Sequence, residues 1–510
     1  MPKAQFSFSF SEFKAIIFQH KEVEISDATL QKMKESFQFL KSFSEDKVIY
    51  GVNTGFGPMA QYRIPKESLK DLQYNLIRSH ASGTGNILNE DEVKAVMLAR
   101  LQTLSLGKSG IPSEVILLMK ELINREIYPV IFEHGGVGAS GDLVQLAHLA
   151  LVLVGEGEVF YKGERKTTAE VFKVEQLQPI SIQGREGLAL INGTSVMTGI
   201  GLLNFYYSER LLDWSIFTSS LLNELVGAYD DHFSAELNNA KLHIGQQAIA
   251  KQMREFLKGS KRIKKREAHL YKSVEEEVFK EKVQEYYSLR CVPQILGPIK
   301  DTYQNVLEVL MNEVNSANDN PIVDLEKQQV YHGGNFHGDY IALEMDKMRL
   351  ATTKLSMLIE RQINYMMNAK LNDIFPPFLN NGKLGLNFGM QGAQFSAVST
   401  TAENQTLSNS MYIHSISNNN DNQDIVSMGT NAANLTKRVI HNSYEVLAVQ
   451  VISLVQAAYF LDQDKDLAPE TGKILQQFKS FIPQLKEDQP LYPLIQETSN
   501  YLKNHACYEN

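Results

Sequence analysis

Hydrophobic positions recur along most of the chain at the spacing of an α-helix. Residues 91–106 begin with acidic side chains, which suit a helix N-terminus, and continue with apolar residues on or beside one face. Proline is sparse, with 15 residues in 510, so long stretches can remain helical. The same periodicity predicts further long helices over residues 196–225, 339–368 and 431–461.

Strand signals are shorter and lie near the N-terminal side. Residues 158–171 predict a small hairpin with Lys162-Gly163 at its turn. Residues 127–132 are typical of a strand, and residues 143–154 of the helix that follows it. No βα alternation continues beyond this one unit.

These patterns predict a mainly α fold with a core of long helices packed as a bundle. The predicted division is a mixed N-terminal region over residues 1–191 and a helical core domain over residues 192–510. With 43% hydrophobic and 21% charged residues, the chain has the composition of a globular protein with a large core.

No segment has the features of a signal peptide or a membrane span, so we expect a cytoplasmic protein without a membrane partner. The apolar segment 446–461 contains Gln450, Ser453 and Gln456 and is predicted to be a core helix. The two cysteines, Cys291 and Cys507, have no metal-ligand spacing and predict no disulfide framework.

Charge argues against a nucleic-acid partner, because the net charge is −9. The one strongly basic run, residues 258–266, lacks interleaved aromatic residues. It is better explained as a solvated loop than as a binding patch.

Polar, glycine-rich segments interrupt the helical pattern, and a rigid helical scaffold commonly holds its functional groups on such loops. These loops are residues 50–57, 135–141, 315–321, 333–338 and 417–429.

The second of these loops has two interpretations. Gly136, Gly138 and Gly141 satisfy G-x-G-x-x-G between a predicted strand and helix, with Glu156 and Glu158 near the position of a ribose-binding acid. A dinucleotide site would however require further βα units, which the sequence does not predict.

The other interpretation concerns Ala139-Ser140-Gly141. If the Gly141 nitrogen attacks the Ala139 carbonyl carbon, loss of two waters gives a five-membered imidazolone with an exocyclic methylene from Ser140. This product is an electrophile, which no ordinary side chain provides. Taken alone, the tripeptide is also compatible with a simple glycine turn at a helix start.

The longer run from Gly135 to Leu143, with Leu146-Ala147-His148 after it, resembles the signature of the histidine, phenylalanine and tyrosine ammonia-lyases. Five further blocks resemble that family in the same order and extend the resemblance over most of the chain: Tyr50–Gly57, Leu190–Thr194, Tyr287–Arg290 with Pro293-Gln294, Asn318–Pro321, and Gly334–His337.

The resemblance implies an aromatic amino acid ammonia-lyase with a 4-methylidene-imidazol-5-one cofactor, formed autocatalytically from Ala139, Ser140 and Gly141, and no metal or nucleotide. It also implies a helical homotetramer with active sites shared between subunits and a small aromatic amino acid as substrate.

Site residues follow from the resemblance. Ser140 supplies the electrophilic carbon, and Tyr50 corresponds to the general base, a role in which a phenol needs help from its surroundings. Tyr287 corresponds to the tyrosine that moves protons beside the cofactor. Arg290 binds the substrate carboxylate, which the planar guanidinium can hold with two hydrogen bonds.

The remaining predicted residues hold the cofactor or the substrate. Asn192 and Gln284 match amides that stabilise the cofactor oxygen and position the substrate. Phe336 matches a residue that shields the electrophile. Asn419 belongs to the polar substrate-binding segment that also contains Gln423.

Two positions disagree about the substrate. Ser79-His80 occupies the pair beside the substrate ring, where histidine lyases of the family tend to have Ser-His. Gln423 occupies a position where histidine lyases have glutamate and the phenylalanine and tyrosine enzymes have glutamine. Because an amide cannot pair with an imidazolium charge, whereas His80 can hydrogen-bond a phenol, we give Gln423 more weight.

The chain is therefore most similar to bacterial tyrosine ammonia-lyases that keep Ser-His, and the predicted reaction converts L-tyrosine to p-coumarate. Histidine ammonia-lyase activity giving urocanate is the alternative. An aminomutase, which returns the amine to the β-carbon, is a less favoured third possibility.

Overall fold

The computed structural model describes residues 8–271, 277–279 and 281–508. The protein is mainly helical, with 59% helix and 7% strand, which confirms the predicted fold class. In the described part of the chain the first α-helices are α1 Phe10–Phe18, α2 Asp27–Phe43, α3 Leu69–His80, α4 Glu90–Ser105, α5 Glu114–Asn124, α6 Leu143–Leu153, α7 Thr168–Glu175, α8 Glu186–Ile191, α9 Ser195–Leu225 and α10 Ala235–Asn239. They are followed by α11 Ile244–Phe256, α12 Arg266–Leu270, α13 Tyr287–Arg290, α14 Val292–Val314, α15 Asp339–Met367, α16 Ala369–Asn372, α17 Gln391–Leu407, α18 Gly429–Leu461, α19 Pro469–Lys479 and α20 Tyr492–Asn504.

The chain forms two compact units, each assembled from three segments. The first unit contains Met1–Asn204, Val306–Asp346 and Ser410–Thr436, and the second contains Phe205–Asn305, Lys347–Asn409 and Lys437–Asn510. The predicted domain boundary at residue 191 stays a prediction.

The strands belong to the first unit and form small antiparallel sheets. In the described residues these strands are β1 Thr84–Ile87, β2 Ile127–Pro129, β3 Phe132–His134, β4 Glu158–Tyr161, β5 Glu164–Thr167, β6 Ile322–Asp324 and β7 Gln329–Tyr331. Their order is β1-β3, β2-β4-β5 and β6-β7.

The predicted hairpin is present, but its second strand is shorter than predicted. Lys162 and Gly163 both have positive φ, 54° and 76°, as a tight hairpin turn requires. Strand β5 ends at Thr167, because the Thr167 hydroxyl accepts a hydrogen bond from the Glu170 amide and starts helix α7. Residues 168–171, predicted as strand, are therefore helical.

The predicted strand over residues 127–132 is divided between two sheets. Ile127 pairs with Tyr161 in β4, whereas Phe132 pairs with Ile87 in β1. The strand is interrupted at residues 130–131: the residues before this point pair with β4, and those after it pair with β1.

Helix α4 runs through the core of the first unit. Its start is fixed by a capping box, in which the Asn89 side chain accepts from the Glu92 amide and the Glu92 carboxylate accepts from the Asn89 amide. The sequence predicted one apolar face, but residues are buried around most of the helix, including Lys94 and Arg100. A largely buried helix does not need an amphipathic pattern.

The second unit is built from helices and packs around aromatic side chains. The Trp214 ring lies 5.9 Å from the Phe217 ring and 5.5 Å from the Phe478 ring, measured between centroids. Its indole N–H donates to the carbonyl oxygens of Leu502 and His505, each at 3.1 Å, which holds the C-terminal helix against α9.

Helix α18 is the one helix of the described residues that is long and apolar enough to cross a membrane. In its most apolar window, 78% of the residues are buried within the protein. This burial agrees with the predicted core helix over residues 446–461.

The basic run at residues 258–266 forms mostly loop, as predicted. The Arg262 guanidinium donates to the carbonyl oxygens of Glu224 and Leu225, and Arg266 pairs with Asp231 at 2.7 Å.

Candidate active site

The polar loops of the first unit, rich in asparagine or glycine, converge on one cavity of about 860 Å³. Every one of the five loops predicted from the sequence contributes at least one lining residue. The predicted site residues that line this cavity, all in the first unit, are Tyr50, His80, Ser140, Asn192, Phe336, Asn419 and Gln423.

Backbone hydrogen bonds fasten the loops to one another. The Gly338 amide donates to the Gly138 carbonyl oxygen at 2.9 Å, and the Met428 amide donates to the Val137 carbonyl oxygen at 3.0 Å. These two bonds hold the loops around residues 338 and 428, which are distant in the sequence, against residues 137 and 138.

Ala139, Ser140 and Gly141 form a tight turn at the cavity wall. The Gly138 amide donates to the Gly141 carbonyl oxygen at 3.2 Å, and the Asp142 amide donates to the Gly193 carbonyl oxygen at 2.8 Å. Gly141 has φ +71°, and a Cβ atom there would lie 2.0 Å from the Gly193 carbonyl oxygen. Position 141 therefore requires glycine.

Two amide side chains contact Ser140. Asn192 Nδ2 donates to the Ser140 carbonyl oxygen at 3.1 Å, and Gln423 Nε2 donates to Ser140 Oγ at 3.1 Å. Asn192 is buried, and its Oδ1 has no hydrogen-bond partner. The Ser140 side chain therefore faces the cavity, and the backbone carbonyl oxygen of Ser140 accepts a hydrogen bond from the Asn192 side chain.

Tyr50 lies at the start of its loop and is half-buried. The backbone N–H of Gly57 donates to the Tyr50 hydroxyl oxygen at 3.2 Å, and the Tyr50 ring meets the Phe56 ring edge-on at 6.2 Å between centroids. A backbone N–H aimed at a hydroxyl oxygen is the type of donor that can stabilise an oxyanion.

His80 is the last residue of α3, and its ring is oriented by the helix. His80 Nδ1 lies 2.9 Å from the Leu76 carbonyl oxygen and 3.1 Å from Ser79 Oγ. Because a carbonyl oxygen can only accept, Nδ1 carries the proton of this contact, and Nε2 of the neutral ring is a hydrogen-bond acceptor.

Phe336 and Asn419 lie on two further loops of the cavity wall. Phe336 is half-buried, and Asn419 adopts the left-handed conformation with φ 53°. A Cβ atom at Gly57 would lie 2.9 Å from Asn419 Nδ2, so the Tyr50 loop and the Asn419 loop are in close contact.

A buried carboxylate lies directly after the turn. Asp142 Oδ2 accepts from the amides of Val196 and Met197 at 2.9 and 3.0 Å, and Thr430 donates to Oδ1. Burial raises the pKa of Asp142 to about 6, against the opposing effect of these hydrogen bonds and of Arg100. Asp142 thereby joins the turn to the start of helix α9.

Arg100 is a fully buried cation behind the turn. It donates to the carbonyl oxygens of Asn192, at 2.8 Å, and Ala189, and burial lowers its pKa to about 10. Neither Arg100 nor Asp142 had a predicted role. A lone arginine inside the apolar segment 91–106 is the signal that could have indicated Arg100.

Other polar residues of the cavity were also missed. Asn75, Asn320 and His332 line it, and burial lowers the pKa of His332 below its ordinary value. Asn320 lies in the predicted loop 315–321 and in the block Asn318–Pro321 but had no predicted role, whereas the side chains of Asn75 and His332 carried no recognisable pattern in the sequence.

Three predicted site residues lie elsewhere, in the second unit, and do not line the cavity: Gln284, Tyr287 and Arg290. The Arg290 guanidinium contacts the Gln284 side-chain oxygen and lies 4.4 Å from the centre of the Tyr287 ring. Tyr287 and Arg290 are three residues apart in α13, a spacing that places two side chains on one helix face. Tyr287 is 70% exposed.

Comparison with known proteins agrees with the motifs and the fold. The family model for aromatic amino acid lyases matches residues 8–480. A tyrosine 2,3-aminomutase of Myxococcus sp. (strain Mx-B0) is 37% identical over 491 residues, covering 94% of this chain and 93% of the relative. A histidine ammonia-lyase of Halalkalibacterium halodurans is 36% identical over 499 residues, covering 98% and 95%.

Solved structures of the same family share the fold of this chain. The crystal structure of tyrosine aminomutase from Streptomyces globisporus matches with a TM-score of 0.93 and 33% identity, covering 98% of this chain and 95% of that one. From the family match, the identity over nearly the whole length and the shared fold, we conclude that the chain belongs to the aromatic amino acid lyase family, which contains ammonia-lyases and aminomutases.

Proposed function

We propose that this protein eliminates ammonia from L-tyrosine to give p-coumarate. The observation that carries the choice of substrate is the charge of the cavity wall: no described residue that lines the cavity is acidic, and the Gln423 amide lies beside Ser140. A phenol is neutral and needs no counter-charge, whereas an imidazolium ring would lose its hydration on entering the cavity without gaining an acidic partner.

His80 supports the same choice. Its Nε2 acceptor can receive the hydroxyl proton of a phenol ring. A phenylalanine ring offers no donor, so a polar His80 beside it would remain unsatisfied.

The residues of the turn fit the proposed methylidene-imidazolone cofactor. Gly141 has the required freedom from side-chain bulk, Ser140 faces the cavity, and Asn192 donates to the Ser140 oxygen. When formed, the cofactor supplies an electrophilic methylene carbon that activates the substrate amine as a leaving group.

Side chains of the protein carry out the remaining steps of the reaction. Tyr50, as a phenolate, takes a proton from the substrate β-carbon and becomes a neutral phenol, and the Gly57 amide, which donates to the Tyr50 oxygen, stabilises the phenolate before this transfer. The electrons of the broken C–H bond form the double bond between the α- and β-carbons. The amine leaves, so tyrosine yields p-coumarate and one ammonium ion.

A second copy of the chain is proposed to complete the site. No described residue lining the cavity is a lysine or arginine, so the substrate carboxylate has no cationic partner there. Arg290, with Gln284 and the exposed Tyr287, would supply that cation and the proton-moving phenol from a neighbouring subunit of a homotetramer.

Mixing two inactive variants tests this sharing. Ser140→Ala and Arg290→Gln proteins, denatured and refolded together, should form some sites with both functional residues and regain part of the activity. If each copy used only its own residues, the mixture would stay inactive.

Aminomutase activity is the second candidate, because the tyrosine 2,3-aminomutase of Myxococcus is 37% identical over nearly the whole chain. A mutase begins with the same elimination and then returns the amine to the β-carbon. Histidine ammonia-lyase is the third candidate, supported by Ser79-His80 and by a relative of that name at 36% identity.

The deciding experiment follows products from L-tyrosine, L-histidine and L-phenylalanine in parallel, with Ser140→Ala as the blank. Free ammonia, the ultraviolet absorbance of the unsaturated acid, and β-amino acid by chromatography are measured together. Coumarate and ammonia in equal amounts support the proposal. Accumulated β-tyrosine would assign an aminomutase, and urocanate alone would assign a histidine lyase.

A further inference from the structure

A second cavity of about 650 Å³ lies in the first unit, beside the loop that carries Tyr50. We call residues 50–64 the flap. Within it, the Gly55 amide donates to the Tyr62 carbonyl oxygen at 2.9 Å and the Ile64 amide donates to the Asn53 carbonyl oxygen at 3.2 Å. The flap is therefore a narrow hairpin.

The flap separates the two cavities. Its tip, including Phe56 and Gly57, lines the substrate cavity, whereas its base, including Asn53 and Arg63, lines the second cavity. A molecule in the second cavity would contact the structure that positions Tyr50 without touching the substrate.

The second cavity has an excess of positive charge. Four of its lining residues are cationic, namely Lys41, Arg63, Lys66 and Arg185, and two are acidic, namely Glu45 and Glu186. Glu186 already accepts hydrogen bonds from two backbone amides, those of residues 183 and 184.

The cations are available to a ligand to different degrees. In the described part of the chain, Arg63 and Lys66 form no ion pair, and both are exposed. Arg185 is 3% exposed and pairs with Asp319 at 2.8 Å, but its Nε has no hydrogen-bond partner. Because this nitrogen is buried and Arg185 is paired, Arg185 adds positive charge behind the cavity wall, while Arg63 and Lys66 are the cations that a ligand can contact.

Apolar side chains form another part of the wall. Phe37 and Leu40 come from α2, Val52 and Ile64 from the flap, and Leu69 from the start of α3. A ligand that fits both the charge and this surface has an anionic head and an apolar body.

The geometry points to a binding site for an amphiphilic carboxylate in this second cavity, with Arg63 and Lys66 at the carboxylate, Arg185 adding positive charge behind the wall, and the apolar side chains around the hydrocarbon. Aliphatic acids belong to this class. The aryl acrylate released by the proposed reaction is also an amphiphilic carboxylate. Of the two sources, only this one rests on the proposed function.

Octanoate is the probe, titrated calorimetrically into the full-length protein in a buffer without other carboxylates. We expect saturable binding that weakens at least about tenfold in the double variant Arg63→Gln/Lys66→Gln, because two cations are lost while the apolar wall remains. The matched control Lys21→Gln/Lys70→Gln removes the same charge from exposed positions outside the cavity and should bind within about twofold of wild type.

Three results would overturn the site. These are no binding to the wild-type protein, equal binding by Arg63→Gln/Lys66→Gln, or equal weakening by the control, which would indicate a general charge effect. Titration of the His80→Ala variant distinguishes the two cavities, because His80 lines only the substrate cavity. If octanoate binding is lost in His80→Ala but is unchanged in Arg63→Gln/Lys66→Gln, octanoate binds in the substrate cavity and the proposal is refuted.

Repeating the titration with p-coumarate distinguishes the two sources. A binding component that disappears in Arg63→Gln/Lys66→Gln for both probes supports a site that also takes the reaction product. Its disappearance for octanoate alone supports a site for aliphatic acids. Neither result depends on turnover, so failure of the proposed reaction would leave the octanoate test intact.

Discussion

The substitution Gln423→Glu places a carboxylate at the wall of the substrate cavity, beside Ser140. In the wild-type chain the Gln423 amide donates to Ser140 Oγ at 3.1 Å, and no described residue lining the cavity is acidic. The new carboxylate would give an imidazolium ring an opposite charge, while it would offer a phenol ring no comparable gain. We therefore expect substrate preference to move from tyrosine towards histidine.

The size of this shift follows from the surroundings of Gln423. A hydrogen bond to a charged group contributes about 1.5–3 kcal/mol. Gln423 is partly exposed, so solvent screening favours the lower end of that range. Since about 1.4 kcal/mol corresponds to a tenfold change, the ratio of kcat/KM for L-histidine to that for L-tyrosine should rise about tenfold.

Initial rates of formation of the unsaturated acid give both kcat/KM values. They should be measured at about pH 6 and about pH 8, because imidazole loses its charge near pH 6.5 and the gain should be larger at the lower pH. Gln423→Met is the matched control, since it keeps the length of the side chain but has neither amide nor charge.

An unchanged ratio in Gln423→Glu would refute the argument from charge. An equal rise in Gln423→Met would do the same, because it would attribute the effect to loss of the amide. A gain of the same size at both pH values would exclude pairing with imidazolium as its cause.

Other changes test the rest of the site. Ser140→Ala should abolish ammonia release and leave the intact mass of the chain without the loss of two waters; activity in this variant would remove the cofactor assignment. Arg290→Lys should lower kcat/KM at least about tenfold, because an ammonium group cannot form the bidentate pair, and near-normal kinetics would show that the carboxylate is held elsewhere. Burial raises the pKa of Asp142 to about 6 from 3.8, so its contribution to stability is present below about pH 4 and lost as pH rises through 6. Urea unfolding should therefore show the wild-type protein losing stability relative to Asp142→Asn over this range, and parallel profiles would contradict the assignment.

The sequence by itself determined the long helices. The predicted segments 196–225, 339–368 and 431–461 correspond to α9, α15 and α18 within two residues at each end. Helical hydrogen bonds join residues four apart, so the pattern that specifies a helix lies within the helix itself. The hairpin turn at Lys162-Gly163 is local in the same way.

Strand partners and burial depended on the tertiary structure. Residues 127–132 have one local pattern but pair with two different strands, β4 and β1, because each ladder is formed with a distant segment. Helix α4 has the spacing of an amphipathic helix, yet it is buried on most sides by elements that its own sequence does not reveal.

The motifs identified the residues that carry the chemistry, whereas the tertiary structure determined which of them lie close together. The five polar loops are separated by up to several hundred residues, and their convergence on Ser140 depends on hydrogen bonds such as Gly338 to Gly138 and Gln423 to Ser140. The same tertiary structure places Arg290 and Tyr287 in the other unit and puts Arg100 behind the turn. Residue identity is local information, but the distances between residues far apart in sequence are set only when the whole core packs.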